Sequence, residues 1–362
     1  MAVFIRSSDG GEAGTIRVVQ WTTGNVGKQS VEAVMKRPDL ELVGCYAWSE
    51  DKSGKDIGEL CGLPPIGLTA THDVDALLAL EPDCVIYNPM WFNVDEMVRI
   101  LESGANIVAT AAFINGQSYP DDGRQRILDA CARGGSSMFG SGVSPGYVEL
   151  IAVALANASD RIDHVLISEE ADTTAYDSPP TEIPVGFGRP VDDPALPGMT
   201  AAATVVFSEA VALVGDALGV VFDEIVCEAE YAKTTKDLDL GSWRLAKDTV
   251  AGVTIHWLGK IGGKSIVEMR ARWRKGDALE PDWDVGMGWT IEIQGRPTIT
   301  TKIDILPPPY FEATTMEEFM VLGHILTALP VINAIPAVVA APSGIVTYED
   351  IPVPLPKGYV PT

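Results

Sequence analysis

RVVQWTTGNVGKQS, residues 17–30, is the stretch whose reading decides the fold. A short apolar strand (Val18, Val19, Gln20, Trp21) runs into Thr22-Thr23-Gly24-Asn25-Val26-Gly27, and an amphipathic helix is expected over 28–36. Strand, glycine-bearing turn and helix start, in that order, build a turn that holds the pyrophosphate of a dinucleotide. The fingerprint G-x-G-x-x-G puts its first glycine at Thr22, so only Gly24 and Gly27 remain. Gly24 admits the phosphates where a side chain would collide, and Gly27 lets the helix pack closely on the strand. The helix N-terminus adds unpaired amides and a partial positive charge. Thr22 gives up the ease of the tight turn but adds a hydroxyl able to bond phosphate. The plain alternative is an ordinary strand–helix turn that happens to hold two glycines.

Working outward, strands are expected at 16–21, 42–48, 84–87, 106–109 and 136–139, with helices at 28–36, 73–79, 94–102 and 123–132. Repeated strand–helix units mean an N-terminal Rossmann domain, a doubly wound parallel sheet in the α/β class. After Gly142-Val143-Ser144-Pro145-Gly146 the pattern changes. A helix at 147–158, a strand at 164–169, a Pro- and Gly-rich loop at 177–198 and a helix at 201–218 follow. Closely spaced strands at 224–233, 249–260, 265–273, 288–294 and 298–305 then predict an α+β domain with an open, largely antiparallel sheet. A late helix is expected at 315–329. The domains read as a disordered tail (1–14), a dinucleotide-binding domain (15–145), a substrate and dimerisation domain (146–335) and a C-terminal segment (336–362) returning to the first domain.

At 362 residues the chain exceeds one typical core, and 46% hydrophobic residues supply ample burial. A net charge of −24 argues against nucleic acid as partner, since phosphate backbones need a basic surface. Five scattered cysteines without C-x-x-C read as buried thiols. Four histidines without ligand spacing give no metal. No apolar run reaches bilayer length; 325–341 is interrupted by Pro330, Asn333 and Pro336. The first fourteen residues lack the apolar core of a signal peptide, so a cytoplasmic protein without a membrane partner is expected.

Candidate chemistry follows the strand ends. The second strand ends at Tyr46-Ala47-Trp48-Ser49, where an NAD site usually carries an acid for the ribose. Ser49, with Lys52 and Lys55 close behind, suits a 2′-phosphate, so NADP is favoured; Glu50 and Asp51 keep NAD open. After the third strand, Asn88 could bond ribose or carboxamide, Pro89 belongs to the same loop, and Trp91 could cover the nicotinamide. After the fourth, Thr110 is the one polar group before the apolar run Ala111-Ala112-Phe113-Ile114. In the second domain, Tyr176 is a candidate proton donor, while Glu170 or Asp172 could hold a cationic amine. His256 sits mid-strand beside Trp257, as a candidate catalytic group or a packed histidine. Glu149 either faces the cleft or favours its helix start.

QWTTGNVG (20–27), DKSGKDIGELCG (51–62), GANIVAT (104–110), SPGYVEL (144–150), AYDSPP (175–180) and NAIPAVVAAPSGIVTY (333–348) together resemble the dihydrodipicolinate-reductase-like dehydrogenases. The branch is that of 2,4-diaminopentanoate dehydrogenase and the native amine dehydrogenases. The resemblance implies NAD(P)-dependent hydride transfer to a carbonyl or imine carbon of a small, mostly apolar substrate, in a homodimer. It also places Asn333 of the last motif at the cofactor. The histidine-histidine-lysine stretch of true dihydrodipicolinate reductases is missing. The glutamate that follows GANIVAT in amine dehydrogenases is replaced by Ala111 to Ile114. Carbonyl or imine reduction, amine dehydrogenation with a relocated carboxylate (Glu170 or Glu149), and an inactive dinucleotide sensor are the three resulting expectations.

Overall fold

The computed structural model describes residues 14–110, 113–119 and 122–360. Nearly all of the expected tail, and Ala111 and Ala112, lie outside those residues. The chain opens with β1 (Ile16–Trp21), α1 (Asn25–Met35) and β2 (Leu40–Tyr46). Two short helices, α2 (Ile57–Leu60) and α3 (Val74–Leu78), start on Asp56 and Asp73, whose carboxylates accept their free N–H groups. There follow β3 (Cys84–Tyr87), α4 (Val94–Glu102), β4 (Asn106–Ala109), α5 (Gly123–Gly134) and β5 (Ser137–Gly140). All residues of β3, β4 and β5 are buried, as expected for parallel strands covered on both faces.

The second part runs α6 (Tyr147–Ala156), β6 (Arg161–Asp172), α7 (Pro179–Glu182), α8 (Leu196–Ala203) and α9 (Val206–Ala217). Then come β7 (Glu224–Thr234), the small hairpin β8 (Leu238–Asp239) and β9 (Arg244–Leu245), β10 (Val250–Ile261) and β11 (Lys264–Arg274). β12 (Leu279–Glu280), β13 (Gly288–Arg296), β14 (Ile299–Ile303), α10 (Met316–Val339) and β15 (Gly344–Val346) complete the chain.

The first sheet is parallel throughout, in the order β2-β1-β3-β4-β5-β15. The chain leaves β1 for β2 on one side and returns to β3 on the other. This reversal opens a crevice at their carboxyl ends. The second sheet runs β12-β7-β10-β11-β6-β13-β14, with β11 and β6 its one parallel pair. Its strands alternate: Val253, Ile255 and Trp257 join the core under α6 and α9, whereas Thr254 and His256 take the other face.

Two helix expectations are corrected. The helix at 201–218 is a bent pair, α8 and α9, set at 59°. The late helix does not stop at residue 329 but continues through Pro330 and Pro336 to Val339. Each proline costs about 3 kcal/mol. Burying Val331, Ile332, Ile335 and Val338 completely, at roughly 1.5–3 kcal/mol each, meets that cost. The prolines therefore did not interrupt the apolar run, and α10 is long and apolar enough to cross a bilayer. Its second half forms core beneath the first sheet, beside Val31, Val34 and Val108.

Candidate active site

At the end of β1 the backbone turns at Thr22 with φ = +74°, the left-handed conformation that the first glycine of the fingerprint supplies freely. Gly24 then caps α1. A Cβ on Gly24 would meet no protein atom within 4 Å, so the space beside it is open. Gly27 is the opposite case: its Cβ would lie 2.4 Å from the Thr22 carbonyl oxygen. No acid stands in the first turn of α1, and Asn25 is exposed there while Val26 is half-buried. The amides at this helix start thus face open space with a partial positive charge. Lys52 Nζ donates to Thr23 Oγ1 at 3.3 Å, bringing the end of β2 against the turn. Ser49 bonds the Asp51 carboxylate, which lies below the usual range chiefly for that reason.

Asn88 sits at the switch point with its side chain fully engaged. Its Oδ1 accepts from Gln20 Nε2 (2.7 Å) and Ser30 Oγ (3.2 Å), and its Nδ2 donates to Thr110 Oγ1 (2.8 Å). Gln20 also donates to the Thr22 carbonyl at 2.9 Å. Four buried or half-buried side chains therefore lock together the ends of β1, β3 and β4 and the middle of α1. A cavity of about 490 Å³ opens beside this lock, running from Tyr46 and Trp48 after β2 past Trp21, Pro89, Trp91 and Phe92 to the start of α4 and Arg126 of α5. Trp48 and Trp91 are mostly exposed, and the buried Trp21 Nε1 has no acceptor. Trp91 lines this cavity together with Tyr46, Trp48 and the start of α4.

On the other side, the loop after β4 lies over β5, with Gly140 pressed against the Phe113 carbonyl so closely that no Cβ fits. Phe113 stacks on Phe92 at 5.4 Å. The loop's amides converge on one carboxylate from the second domain. Glu209 Oε2 accepts from the N–H groups of Ile114, Asn115 and Gly116 at 2.8–3.0 Å. Its Oε1 accepts from Ser118 N at 2.9 Å and from the Ser118 hydroxyl. The sequence reading passed over Glu209, although a lone acid inside the apolar run VVFSEAVALVG signals a buried, partnered charge.

Beyond β5, Ser141 Oγ bonds the Tyr348 hydroxyl at 2.8 Å. Glu149, fully buried at the start of α6, accepts from Gly146 N and weakly from Ser144 Oγ at 3.4 Å. Burial pushes its carboxyl up to about 7, and the charge of Glu169 pushes the same way. Glu169 shares the inward face of β6 with Val165 and Ile167. It accepts from Trp273 Nε1 (2.8 Å) and Trp289 Nε1 (3.1 Å) and is raised by burial. Thr327 of α10 passes the same loop, placed so that a Cβ on Gly142 would lie 3.7 Å from its methyl.

The structure therefore brings Thr22, Thr23, Gly24, Asn25, Val26, Gly27, Ser49, Lys52, Asn88, Pro89 and Thr110 to one sheet edge. Asn333 is elsewhere: its Oδ1 accepts from Arg37 Nη1 at 2.9 Å, just past the far end of α1. An eleven-residue helix puts that end about 16 Å from Gly24. The three catalytic candidates are not brought together. Glu170 takes the face opposite Glu169 and accepts from Gly286 N. His256 pairs with Glu268 at 2.9 Å on that same face, with β11 between its strand and β6. Tyr176 lies in the loop after β6, beside the buried Lys275 that donates to its carbonyl. Among the described residues no group of three His, Cys, Asp or Glu side chains could hold a metal ion.

Comparison with known proteins gives the same two-part division. The family model described as the 2,4-diaminopentanoate dehydrogenase C-terminal domain matches residues 148–357, and that of the dihydrodipicolinate reductase N-terminus matches residues 18–103. The amine dehydrogenase of Streptomyces virginiae is 31% identical over 93% of this chain and 96% of its own length. The 2,4-diaminopentanoate dehydrogenase of Acetoanaerobium sticklandii is 24% identical, covering 72% of this chain and 70% of its own. Among solved structures, the amine dehydrogenase of Mycobacterium smegmatis superposes with a TM-score of 0.75 at 19% identity. It covers 94% of this chain and 97% of its own, a likeness of fold.

Proposed function

The chain belongs to the family of the amine dehydrogenases and 2,4-diaminopentanoate dehydrogenases, and from that premise we propose that it oxidises a small, mostly apolar primary amine, or forms one from a carbonyl compound and ammonia, with a nicotinamide dinucleotide. The single observation that carries this is Glu149, a carboxyl buried at the carboxyl end of β5 and poised near neutrality. It offers a relocated proton acceptor where the glutamate after residues 104–110 is missing.

The turn fits the cofactor on the protein's own terms. The space beside Gly24 and the amides at the start of α1 would hold the pyrophosphate. We assign the adenine to the cavity between Trp48 and Trp91. We assign a 2′-phosphate, hence NADP, to Ser49 and Lys52. When bound, the cofactor supplies hydride exchange at the nicotinamide C4. In the oxidative direction the substrate loses hydride from carbon and a proton from nitrogen. The nitrogen lone pair closes the C=N bond, and water then releases ammonia and the carbonyl product. Glu149 takes the nitrogen's proton. We place the homodimer on the polar open face of the second sheet, to be checked by light scattering.

Tryptophan fluorescence titration with NADPH and NADH tests the cofactor half, and the expected result is saturation at micromolar NADPH. A panel of aliphatic ketones with and without ammonia tests the chemistry. Ammonia-dependent consumption of NADPH supports the reading. Equal turnover without ammonia replaces it with carbonyl reduction. Glu149→Gln should lower kcat at least about 100-fold while cofactor affinity stays within about threefold.

A further inference from the structure

We propose that Glu209 is a positioning residue through which the second domain shapes the nicotinamide end of the cofactor site. This rests on the cofactor reading above and says which of the chain's own groups sets the far half of that site. The pyrophosphate turn lies after β1, and the cavity lined by Trp48 and Trp91 reaches from it to the end of β2. A dinucleotide whose adenine occupies that cavity must extend its other half toward the ends of β4 and β5. The loop 113–118 stands there, pressed on Gly140.

Within the first domain, Asn115 Oδ1 accepts from Gln117 N at 3.0 Å and Arg124 Nε donates to the Asn115 carbonyl at 2.9 Å, but four further amides of the loop are bonded from outside that domain. The loop carries no charge, and its amides would otherwise need water. One carboxylate from α9 collects four of those amides and the Ser118 hydroxyl. Glu209 is only 1% exposed, so the carboxylate is held by these donors and not by solvent. Inside, the loop is continuous with the cavity through the Phe113–Phe92 stack, and Phe92 itself lines the cavity. The second domain therefore supplies the acceptor for four of the loop's amides, and the loop's shape depends on that carboxylate. A glutamine is nearly isosteric but replaces one acceptor oxygen with a donor, which must face N–H groups that need an acceptor.

The experiment compares wild type with Glu209→Gln by fluorescence titration, using NADPH and its adenylate fragment 2′,5′-ADP. In the variant the fragment should bind within about twofold of wild type, because the turn, Trp48 and Trp91 lie outside the loop that Glu209 holds, although Phe92 stacks on the loop's Phe113. NADPH should bind about tenfold more weakly, so the affinity gap between dinucleotide and fragment shrinks. Ser118→Ala removes one donor without leaving the carboxylate bare, and should shrink the gap about threefold. It keeps the test open if Glu209→Gln does not fold. A gap equal to wild type in the folded variants overturns the role of Glu209 and leaves the cofactor reading standing. Failure of wild type to bind either compound overturns the cofactor reading, and this inference with it.

Discussion

Thr22 keeps a β-branched side chain at φ = +74°, a conformation costing of order 1–2 kcal/mol for any residue but glycine. Its hydroxyl returns only one long bond, 3.4 Å to the Asn88 carbonyl. Thr22→Gly should therefore stabilise the fold by about 0.5–1 kcal/mol in urea denaturation, net of the entropy a glycine adds to the unfolded chain. A loss of stability would show that the hydroxyl matters more than the strain. The two glycines separate in kind. Gly24→Val should leave the melting temperature within about 2 °C and abolish dinucleotide binding, since its Cβ meets no protein atom. Gly27→Ala should cost about 1–3 kcal/mol, because its Cβ falls on the Thr22 carbonyl. Glu149 binds a proton in the folded protein up to about pH 7, whereas unfolded it ionises near 4.5. Stability from this group is thus lost as pH rises from about 4.5 to 7, by up to about 3 kcal/mol, and is flat above. Glu149→Gln should remove that slope from stability measured across pH. Much of this site was legible: turn, strand-end residues and glycine roles follow from spacing alone. The carboxylates were legible only by alternation. Val165 and Ile167 point inward, so Glu169, not Glu170, joins them.

Among elements, the long strands announced themselves through their apolar runs, the short β8, β9, β12 and β15 did not, and α10 did so only for its first half. Two prolines read as interruptions because the sequence shows their lost hydrogen bonds and not the core that receives Val331 to Val338. Amides of 331–335 and 337–338 should exchange with solvent at the rate of global unfolding, and those of 320–326, half-exposed, appreciably faster. Equal rates would mean the helix opens as one unit. The loop after β6 is held by a different device. Lys275, with no exposed side chain, pairs with Glu182, donates to the carbonyls of Thr173 and Tyr176, and lies among the rings of Tyr176, Phe187 and Trp243. Burial lowers its pKa and the Glu182 carboxylate partly restores it. Lys275→Met should cost about 3–5 kcal/mol by leaving Glu182 buried and unpaired. Adding Glu182→Gln should recover a large part of that loss, as a double-mutant cycle would measure.

For the whole molecule, the sheet edge proposed for the cofactor belongs to one sheet, and the Glu209 carboxylate that holds its neighbouring loop comes from the second part. Ligand binding should therefore report on both parts at once: NADPH at 100 times its dissociation constant should add about 2.7 kcal/mol to stability. A shift confined to one of two resolved melting transitions would show the parts acting separately. The division into two sheets was readable in the change of rhythm after Gly146, but their mutual grip through Glu209 was not, because its partners are backbone amides. The last strand carries a consequence for biosynthesis. β15 pairs with β5, yet more than two hundred residues separate Gly140 from Gly344. A ribosome must deliver the entire second sheet before the first can gain its sixth strand. The nascent cofactor half thus waits with an open edge at β5 and without the buried side chains of α10, and a chain released before residue 346 would keep that edge exposed.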